Sequence, residues 1–151
     1  MATFTKINDF VKHVNEGVHN MASHQLELAL SNTAPASETS NPTADGNGIL
    51  GNVSEILYTD LNSPFNITLS SSAQTAGVYT LTLTDFTITC SGAGANAFRY
   101  VYVFNDNPTS PIDPLVCVFD YGSSLTLNNG ESLLVDFGSD GGGTGALYTM
   151  T

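Results

Sequence analysis

The sequence predicts an all-β protein: a jelly-roll-like antiparallel β-sandwich with one short N-terminal helix and a long loop or arm. About ten short segments alternate apolar and polar residues, and turn residues separate them roughly every 8–12 positions. Only 11% of the 151 residues are charged, so Ser, Thr, Asn and Gly supply the polar surface, which favours strands and turns. The length suits one β-sandwich domain over residues 25–151, preceded by a helix-and-arm segment over 1–24.

A helix is predicted near the start of the chain, in the segment TKINDFVKHVNEG (residues 5–17). Its apolar residues recur at the spacing that places them on one face of a helix: Ile7, Phe10, Val11 and Val14. Thr5 suits the N-cap, and Gly17 suits the left-handed residue that ends a helix. Because such a short helix is marginally stable alone, we expect its apolar face to pack against this domain or against another chain.

The first strand is predicted in LELALSN, where Leu26, Leu28 and Leu30 occupy alternate positions. Residues 33–52, TAPASETSNPTADGNGILGN, then show no sustained periodicity. A run of about 20 residues without regular structure is unusual inside a compact domain and is often functional. The sequence therefore predicts an extended loop over 33–52 that contacts a partner.

Strands dominate the rest of the chain, and nine are predicted: near 53–58, 66–70, 78–84, 86–90, 98–104, 115–119, 124–128, 131–137 and 146–150. In VYTLTLTDFTITC the apolar residues occupy odd positions up to Leu83 and even positions from Phe86. One straight strand cannot keep both sets on one face, because a shift of one residue reverses every side chain. The pattern predicts a bulge, or a bend between two sheets, near Thr84 and Asp85.

Two further segments predict specific pairings. In LTLNNGESLLVDF, Asn129-Gly130 fits a two-residue type I′ hairpin turn. That hairpin would oppose four apolar residues, Leu125 and Leu127 against Leu133 and Val135. In FRYVYVF, one face is aromatic, with Phe98, Tyr100, Tyr102 and Phe104. Arg99 lies on the other face and is expected to pair with a carboxylate across the strand, Asp120 or Asp136.

Charge excludes two classes of partner. The chain has three basic and fourteen acidic residues, a net charge of −11. Nucleic-acid binding depends on Lys and Arg at phosphates, and anionic membranes attract the same side chains, so we expect neither partner. No stretch approaches the roughly 18 apolar residues of a membrane span. The N-terminus, MATFTKINDF, lacks the apolar run of a signal peptide and predicts synthesis in a host cytoplasm.

No motif predicts a bound metal or cofactor. GSDGGGTG, residues 138–145, lacks the lysine and the following helix of a phosphate loop and predicts a flexible link between two strands. The segment 45–48, DGNG, departs from the calcium-loop pattern, because Leu50 and Ile56 fall where that loop needs Gly and Glu. The oxygen-rich segment 105–113 predicts a turn held by its own Asx hydrogen bonds.

The three histidines share a short N-terminal stretch but not a metal-ligand spacing: His13, His19 and His24. We expect them on the helix surface or at an interface. Cys90 and Cys117 lie within apolar strands and are expected to be buried free thiols.

No catalytic arrangement is predicted, since the chain has no GxSxG elbow and its cysteines lie in mid-strand. Its fourteen acids leave carboxylate pairs for glycoside hydrolysis open, although carbohydrate sites usually present tryptophan or tyrosine and this chain has no tryptophan. The predicted protein is not an enzyme, and a small hydrolase is the remaining catalytic alternative.

Four stretches of the chain resemble small structural proteins of tailed bacteriophage virions: ATFTKINDFV with EGVHN, LELALSNTAP, NITLSSSAQTAGVYTLTLTDFTIT, and VFDYGSSLTLNNGESLLVDF. In that group, small β-sandwich or jelly-roll proteins commonly act as capsid decoration (cement) proteins. The resemblance implies a protein on the capsid surface of the virion, often a trimer, that strengthens contacts between major capsid proteins. A phage tail or fibre component, or a module that binds host glycans through an exposed Tyr100/Tyr102 face, is the alternative.

A lattice-binding role implies contact residues, and the apolar N-terminal segment and the 33–52 loop are the natural candidates. The predicted partner-binding residues are Phe4, Ile7, Phe10, Val14, Pro42, Ile49 and Leu50. The predicted partners are the major capsid protein and further copies of the chain, as a homotrimer.

Overall fold

The structure is a computed structural model that describes residues 2–35, 48–138 and 143–151. Its elements in chain order are β1 (Thr3–Lys6), α1 (Asn8–Asn15), β2 (Leu26–Ser31), β3 (Asn66–Ile67), β4 (Leu69–Thr75), β5 (Val78–Thr84), β6 (Phe86–Thr89), β7 (Phe98–Asn105), β8 (Leu115–Leu125), β9 (Ser132–Val135) and β10 (Thr144–Met150). The prediction of an all-β antiparallel sandwich with a short N-terminal helix is confirmed.

The described strands form three antiparallel sheets. One has five strands in the order β1-β8-β7-β2-β3, one has the order β10-β5-β4, and β6 pairs with β9. A single core of buried residues joins them, with Val103 and Cys117 from the first sheet, Leu81 from the second and Ile88 from the third. The two small sheets therefore share one core with the five-stranded sheet.

The chain passes from one small sheet to the other at Asp85, between β5 and β6. The Asp85 N–H donates to the Gly143 carbonyl (3.0 Å), and its Oδ1 accepts from the Phe137 N–H (3.0 Å). The predicted break near Thr84 and Asp85 is confirmed as a change of sheet. Asp85 holds the corner by bonding to the two segments that flank it.

β9 does not pair with the segment before it, so the predicted type I′ hairpin is wrong. The predicted strand 124–128 is in part the end of β8, and β9 pairs with β6, where Ile88 is buried. Asn129-Gly130 does form a turn, closed by a bond from the Glu131 N–H to the Asn128 carbonyl (2.9 Å). Only its glycine has a positive φ (84°), whereas a type I′ turn requires one at both central residues.

α1 starts later than predicted, because Thr5 belongs to β1 and Ile7 is the N-cap. Gly17 follows the helix with φ of 76°, in the left-handed role that the sequence predicted. The buried face is rotated from the predicted one, since Val11 is exposed and His13 is buried. A pattern that counts only aliphatic and aromatic residues does not anticipate that a histidine ring packs inward.

β7 is the central strand of the five-stranded sheet, and side chains on both of its faces are buried. Its aromatic and aliphatic residues are all buried, from Phe98 to Phe104. Arg99 is the exception and forms a bidentate ion pair with Asp120, with Nε–Oδ1 at 2.6 Å and Nη2–Oδ2 at 2.8 Å. The predicted pairing with Asp120 is confirmed.

The segment 53–58 is not the strand that the sequence predicted, but it covers the outer edge of β2. The Ile56 N–H donates to the Leu30 carbonyl (3.0 Å), and the Leu30 N–H donates to the Tyr58 hydroxyl (3.0 Å). β3 covers the other end of β2. Between them, these two segments supply the hydrogen-bond partners that a regular strand would have provided.

Gly145 lies at a close approach between two backbones, near the start of β10. A Cβ added there would lie 1.9 Å from the Gly138 nitrogen and 2.1 Å from the Phe137 carbonyl carbon. Only glycine therefore fits at this contact between β10 and the chain that leaves β9. Residues 139–142 of the glycine-rich stretch lie outside the described residues.

Candidate interaction surface

β1 forms one edge of the five-stranded sheet and pairs with β8 alone among the described strands. Phe4 lies opposite Phe119, and the Ile7 N–H donates to the Val116 carbonyl (3.1 Å). Because bonded and non-bonded pairs alternate along an antiparallel ladder, the backbone N–H and C=O groups of Phe4 and Lys6 point away from β8. β1 therefore presents a hydrogen-bonding edge to a neighbour.

An apolar cleft of about 780 Å³ opens beside β1, between the five-stranded sheet and the strands β9 and β10. Phe4 and Phe119 line one side, and Leu134 and Phe137 line the other. The Phe119 ring contacts both Phe4 and Phe137 edge-on, with centroids 5.5 and 6.2 Å apart. Leu134 and Tyr121 are exposed at the mouth, so apolar side chains of both layers reach solvent here.

A smaller apolar hollow of about 280 Å³ lies where β1, α1 and the end of β10 meet. Its lining includes Phe4, Lys6, Phe10, Val11, Tyr148 and Met150. The Phe10 ring packs edge-on against Tyr148, with centroids 5.2 Å apart, and forms the floor of this junction. The two lysines of the chain, Lys6 and Lys12, are both exposed on the elements that border it.

The cleft and the hollow meet at Phe4 and make one surface. We define the β1 surface by its exposed residues, Phe4, Lys6, Val11, Tyr121, Leu134 and Met150. Seven large hydrophobic side chains are exposed among the described residues, and five of them belong to this surface. Exposed apolar residues gathered at one place mark an interaction site, whereas scattered ones do not.

Three of the predicted partner-binding residues lie between β1 and the first turn of α1: Phe4 on β1, Ile7 at the N-cap and Phe10 in the first turn. Phe4 is 43% exposed and belongs to the β1 surface. Ile7 and Phe10 are 0% and 4% exposed, because α1 packs on this domain's own core. Their side chains are therefore closed to a partner in this conformation, although Phe10 forms part of the hollow's floor.

The remaining predicted partner-binding residues are partly covered or lie outside the described residues. Val14 and Leu50 are half-buried against the core. Ile49 is also half-buried and forms an isolated bridge with Pro114. Pro42 lies outside the described residues. The sequence did not single out Tyr121, Leu134 or Met150, because their exposure depends on which layers meet at β1.

The three histidines cluster between α1 and the end of β7, and the expectation of a surface position is wrong for two of them. His13 and His19 are buried, and the His19 ring packs 5.1 Å from the Phe10 ring. The Asn105 amide nitrogen lies 3.0 Å from Nδ1 of His19 and 3.0 Å from Nδ1 of His24. Burial, with smaller effects of the neighbouring histidines, lowers the pKa of His19 to about 4, and burial lowers the pKa of His13.

The described residues hold no group of three or more His, Cys, Asp or Glu side chains arranged to bind a metal ion. The segment after β7 forms the predicted Asx turn, in which the Asn107 N–H donates to Oδ1 of Asn105 (3.2 Å). Residues 45–47 of the other candidate loop lie outside the described residues. Cys90 and Cys117 are buried free thiols, as predicted, and burial raises the pKa of Cys117.

The tyrosine face proposed for glycan binding is not exposed. Tyr100 and Tyr102 are buried in β7, with the rings inside the core. All six tyrosines lie in the described residues, and Tyr121 is the exposed one among them. Any aromatic platform for a ligand would therefore lie at the mouth of the cleft and not on β7.

No protein-family model, no curated protein and no solved structure matches the chain. None of the helices in the described ranges is long and apolar enough to cross a membrane. The β1 surface and the sequence are therefore the guides to function.

Proposed function

We propose that this protein is a structural component of a tailed-bacteriophage virion, a capsid decoration (cement) protein that binds the major capsid protein lattice and stabilises the head. The observation that carries the proposal is the β1 surface, where apolar side chains surround a free strand edge. A soluble monomer rarely leaves such a patch to water unless a partner covers it, and an unpaired strand edge favours pairing with another chain. The resemblance to phage structural proteins is the reason for proposing that the partner belongs to a virion.

A structural role in place of a catalytic one is supported by where the reactive side chains lie. Cys90 and Cys117 are buried, so neither thiol reaches a substrate. His13 and His19 are buried, and the His19 ring packs against Phe10, so neither is placed to act as a general base on a bound molecule. In this proposal the exposed surface acts by shape and hydrophobic contact.

The charge of the chain fits attachment to a lattice. A net charge of −11 keeps the free protein soluble and favours a partner surface that carries basic groups. The resemblance implies a homotrimer, and each trimer would bind the capsid lattice at several points. Linked contacts of this kind raise the overall affinity without any new contact in a single copy.

The test is binding to capsid shells that lack the protein. We expect the purified protein to co-sediment with shells to a fixed stoichiometry and to raise the temperature at which they break open. Imaging of the intact virion should then show its density on the head. Absence of binding to shells, together with density confined to the tail, would overturn the proposal.

A tail, fibre or glycan-binding role is the second candidate, and exposed Tyr121 at the mouth of the cleft favours it. Binding of the isolated protein to a glycan array, lost in Tyr121→Ala but kept in Tyr79→Phe, would support that role. Tyr79 is a suitable control because it is half-buried on β5 and does not line the cleft.

A further inference from the structure

The buried side chain of Asn105 links the end of β7 to the segment between α1 and β2. Its Oδ1 accepts a hydrogen bond from the Asn107 N–H (3.2 Å), which directs the amide nitrogen towards two histidine rings. That nitrogen lies 3.0 Å from Nδ1 of His19 and 3.0 Å from Nδ1 of His24. We define the Asn105 cluster as Asn105, His19 and His24.

The geometry of the Asn105 cluster requires both imidazole rings to be neutral. A side-chain amide nitrogen carries two hydrogens and cannot accept, so each Nδ1 accepts one of them. The Asn20 N–H also donates to Nδ1 of His24 (3.3 Å), and a backbone N–H can only donate. The proton of each neutral ring is therefore on Nε2. A second proton, added at Nδ1, sets two donors against each other and breaks the bond to Asn105.

The surroundings of His19 do not offer a charge that would stabilise its protonated form. Its Nε2 is buried and has no hydrogen-bond partner among the described residues. The rings of Phe10 and His13 pack against it, with centroids 5.1 and 5.9 Å away. Burial lowers the pKa of His19 to about 4, and the charges of His13 and His24 lower it further. Protonation of His19 is therefore unfavourable while its ring stays packed.

The charged groups of α1 lie around His13. Asp9 and Glu16 raise the pKa of His13 and Lys12 lowers it, but burial is the largest effect and the pKa is lowered overall. The acidic groups of the helix therefore do not compensate for the burial of the His13 ring. Acid acts on His13 in the same direction as on His19.

The ionisable groups of the neighbouring strands do not stabilise a protonated ring either. On β7, the exposed Asp106 follows the cluster, and its charge acts on Glu27 and Asp113. On β10 and β8, burial raises the pKa of Tyr148 and of Cys117, so both are neutral. The acid response of this end of the molecule is therefore set by the histidines.

We propose that the Asn105 cluster is an acid-sensitive switch, which holds the segment 8–24 against the end of β7 at neutral pH and releases it when the imidazoles are protonated. The sandwich stays folded, so the change is a local opening. Release uncovers Phe10, a predicted partner-binding residue whose side chain is buried in the packed conformation. The inference goes beyond the proposed function and does not depend on it, because it concerns the isolated chain.

Acid favours the released form because that form binds more protons. The pKa of His19 is about 4 in the packed cluster, against 6.5 for the reference imidazole. The packed form is therefore favoured in full above pH 6.5 and loses that preference as the pH falls towards 4. Between pH 7 and pH 5, a shift of this size raises the opening equilibrium by about tenfold or more.

The experiment is amide hydrogen exchange of the full chain at pH 7 and pH 5, read by mass spectrometry and corrected for the intrinsic exchange rate at each pH. Two variants change the cluster. Asn105→Asp replaces the amide donor by a carboxylate, which accepts from protonated rings, and His19→Asn removes one titrating group. Asn129→Asp is the matched control, because it adds the same charge at an exposed position beyond the end of β8 that pairs with Phe98.

In the wild type, we expect the protection of residues 8–24 to fall about tenfold or more between pH 7 and pH 5, while that of β7 changes by less than about twofold. His19→Asn should lose most of this response. Asn105→Asp should abolish or reverse it, because its carboxylate pairs with the rings that are protonated at pH 5. Asn129→Asp should respond like the wild type.

Equal loss of protection in β7 and in residues 8–24 would overturn the inference, because acid would then unfold the whole domain. Protection of residues 8–24 that does not respond to pH would also overturn it. An Asn105→Asp variant with the wild-type response would show that Asn105 does not sense the rings. Circular dichroism at both pH values verifies folding, and if Asn105→Asp does not fold, an unchanged response in His19→Asn refutes the switch.

Discussion

The two sides of the five-stranded sheet differ in how well their backbone edges are covered. On the β2 side, β3 and the segment 53–58 cover the strand, and Phe65 packs edge-on against Tyr58 and Phe86 with centroids 5.1 and 6.0 Å apart. On the β1 side, the backbone edge is free and Phe4 reaches solvent. We call these the closed edge and the open edge.

The two edges differ in whether a segment without regular structure runs along them. The closed edge is covered by a segment without regular strand structure, in which the Ile56 N–H and the Tyr58 hydroxyl bond to Leu30. No comparable segment among the described residues runs along β1. An irregular segment therefore covers one edge of the sheet, whereas the other edge keeps backbone groups of the kind that can pair with another chain.

The largest loss of stability should come from removing a buried ring beside the closed edge. Phe65→Ala removes a ring that is 1% exposed, so we expect the free energy of unfolding to fall by about 3–5 kcal/mol. Phe4→Ala at the open edge removes a ring of the same size that is 43% exposed, and we expect a loss of about 1 kcal/mol. Urea unfolding of both variants measures the contrast. Equal losses would mean that the two edges are not different in the isolated protein.

Acid should weaken the end of the molecule that carries α1. The pKa of His19 is about 4 in the folded chain and 6.5 in the reference state, and that of His13 is also lowered. The unfolded chain therefore binds more protons below pH 6.5, and stability falls as the pH drops from about 6.5 towards 4. The His19 contribution to that loss is about 3 kcal/mol by pH 4.

Urea unfolding at a series of pH values measures this acid sensitivity. His19→Asn keeps a polar group near Asn105 but does not titrate, so its stability should change less steeply between pH 6.5 and 4. An unchanged slope in this variant would assign the acid sensitivity to other groups.

An intermediate effect is expected where β10 approaches the chain that leaves β9. Gly145→Ala puts a Cβ 1.9 Å from the Gly138 nitrogen, so the two backbones must separate at the side of the cleft, at a cost of about 1–3 kcal/mol. Gly51→Ala is the control, because a Cβ at Gly51 meets nothing within 4 Å. Thermal unfolding of the pair gives the difference, and similar melting temperatures would contradict the close approach.

The smallest effect should come from the ion pair beside the open edge. Asp120→Asn removes the charge that neutralises Arg99, but both side chains are about one-third exposed, with 37% and 33% of their surface accessible. Partly exposed pairs contribute little, and at about 1 M salt the Debye length is about 3 Å. We expect a small fall in the urea midpoint that shrinks further at high salt. A loss as large as that of Gly145→Ala would show that this pair fastens β8 to β7.

The sequence predicted those features that depend on neighbours along the chain. The change of sheet at Asp85 follows from the switch of apolar phase between Leu83 and Phe86, and Gly17 follows from the end of a helical period. The sequence did not predict β1, because four residues with no buried side chain carry no alternation to detect. It also misplaced the partner of β9, since pairing with β6 joins strands that are about 45 positions apart.

The candidate site was predicted only in part for the same reason. Phe4, Ile7 and Phe10 were all predicted as contact residues because they are apolar and near the N-terminus. The local sequence does not show that Phe4 is exposed whereas Ile7 and Phe10 are buried. Tyr121 and Leu134 come to the open edge only when two layers are stacked. His19 is buried beside Asn105, which is distant in sequence, so its position was not predictable from its neighbours along the chain.

The position of Lys6 also gives the open edge a distinctive reactivity. Lys6 is exposed on β1 and lines the apolar hollow, so an amine-directed reagent that reacts with it modifies the protein at the open edge. A partner seated there would shield this amine, and a bulky acyl group placed there first would block the partner. The extent of Lys6 labelling, compared between free protein and assembled particles, therefore reports how completely the open edge is covered.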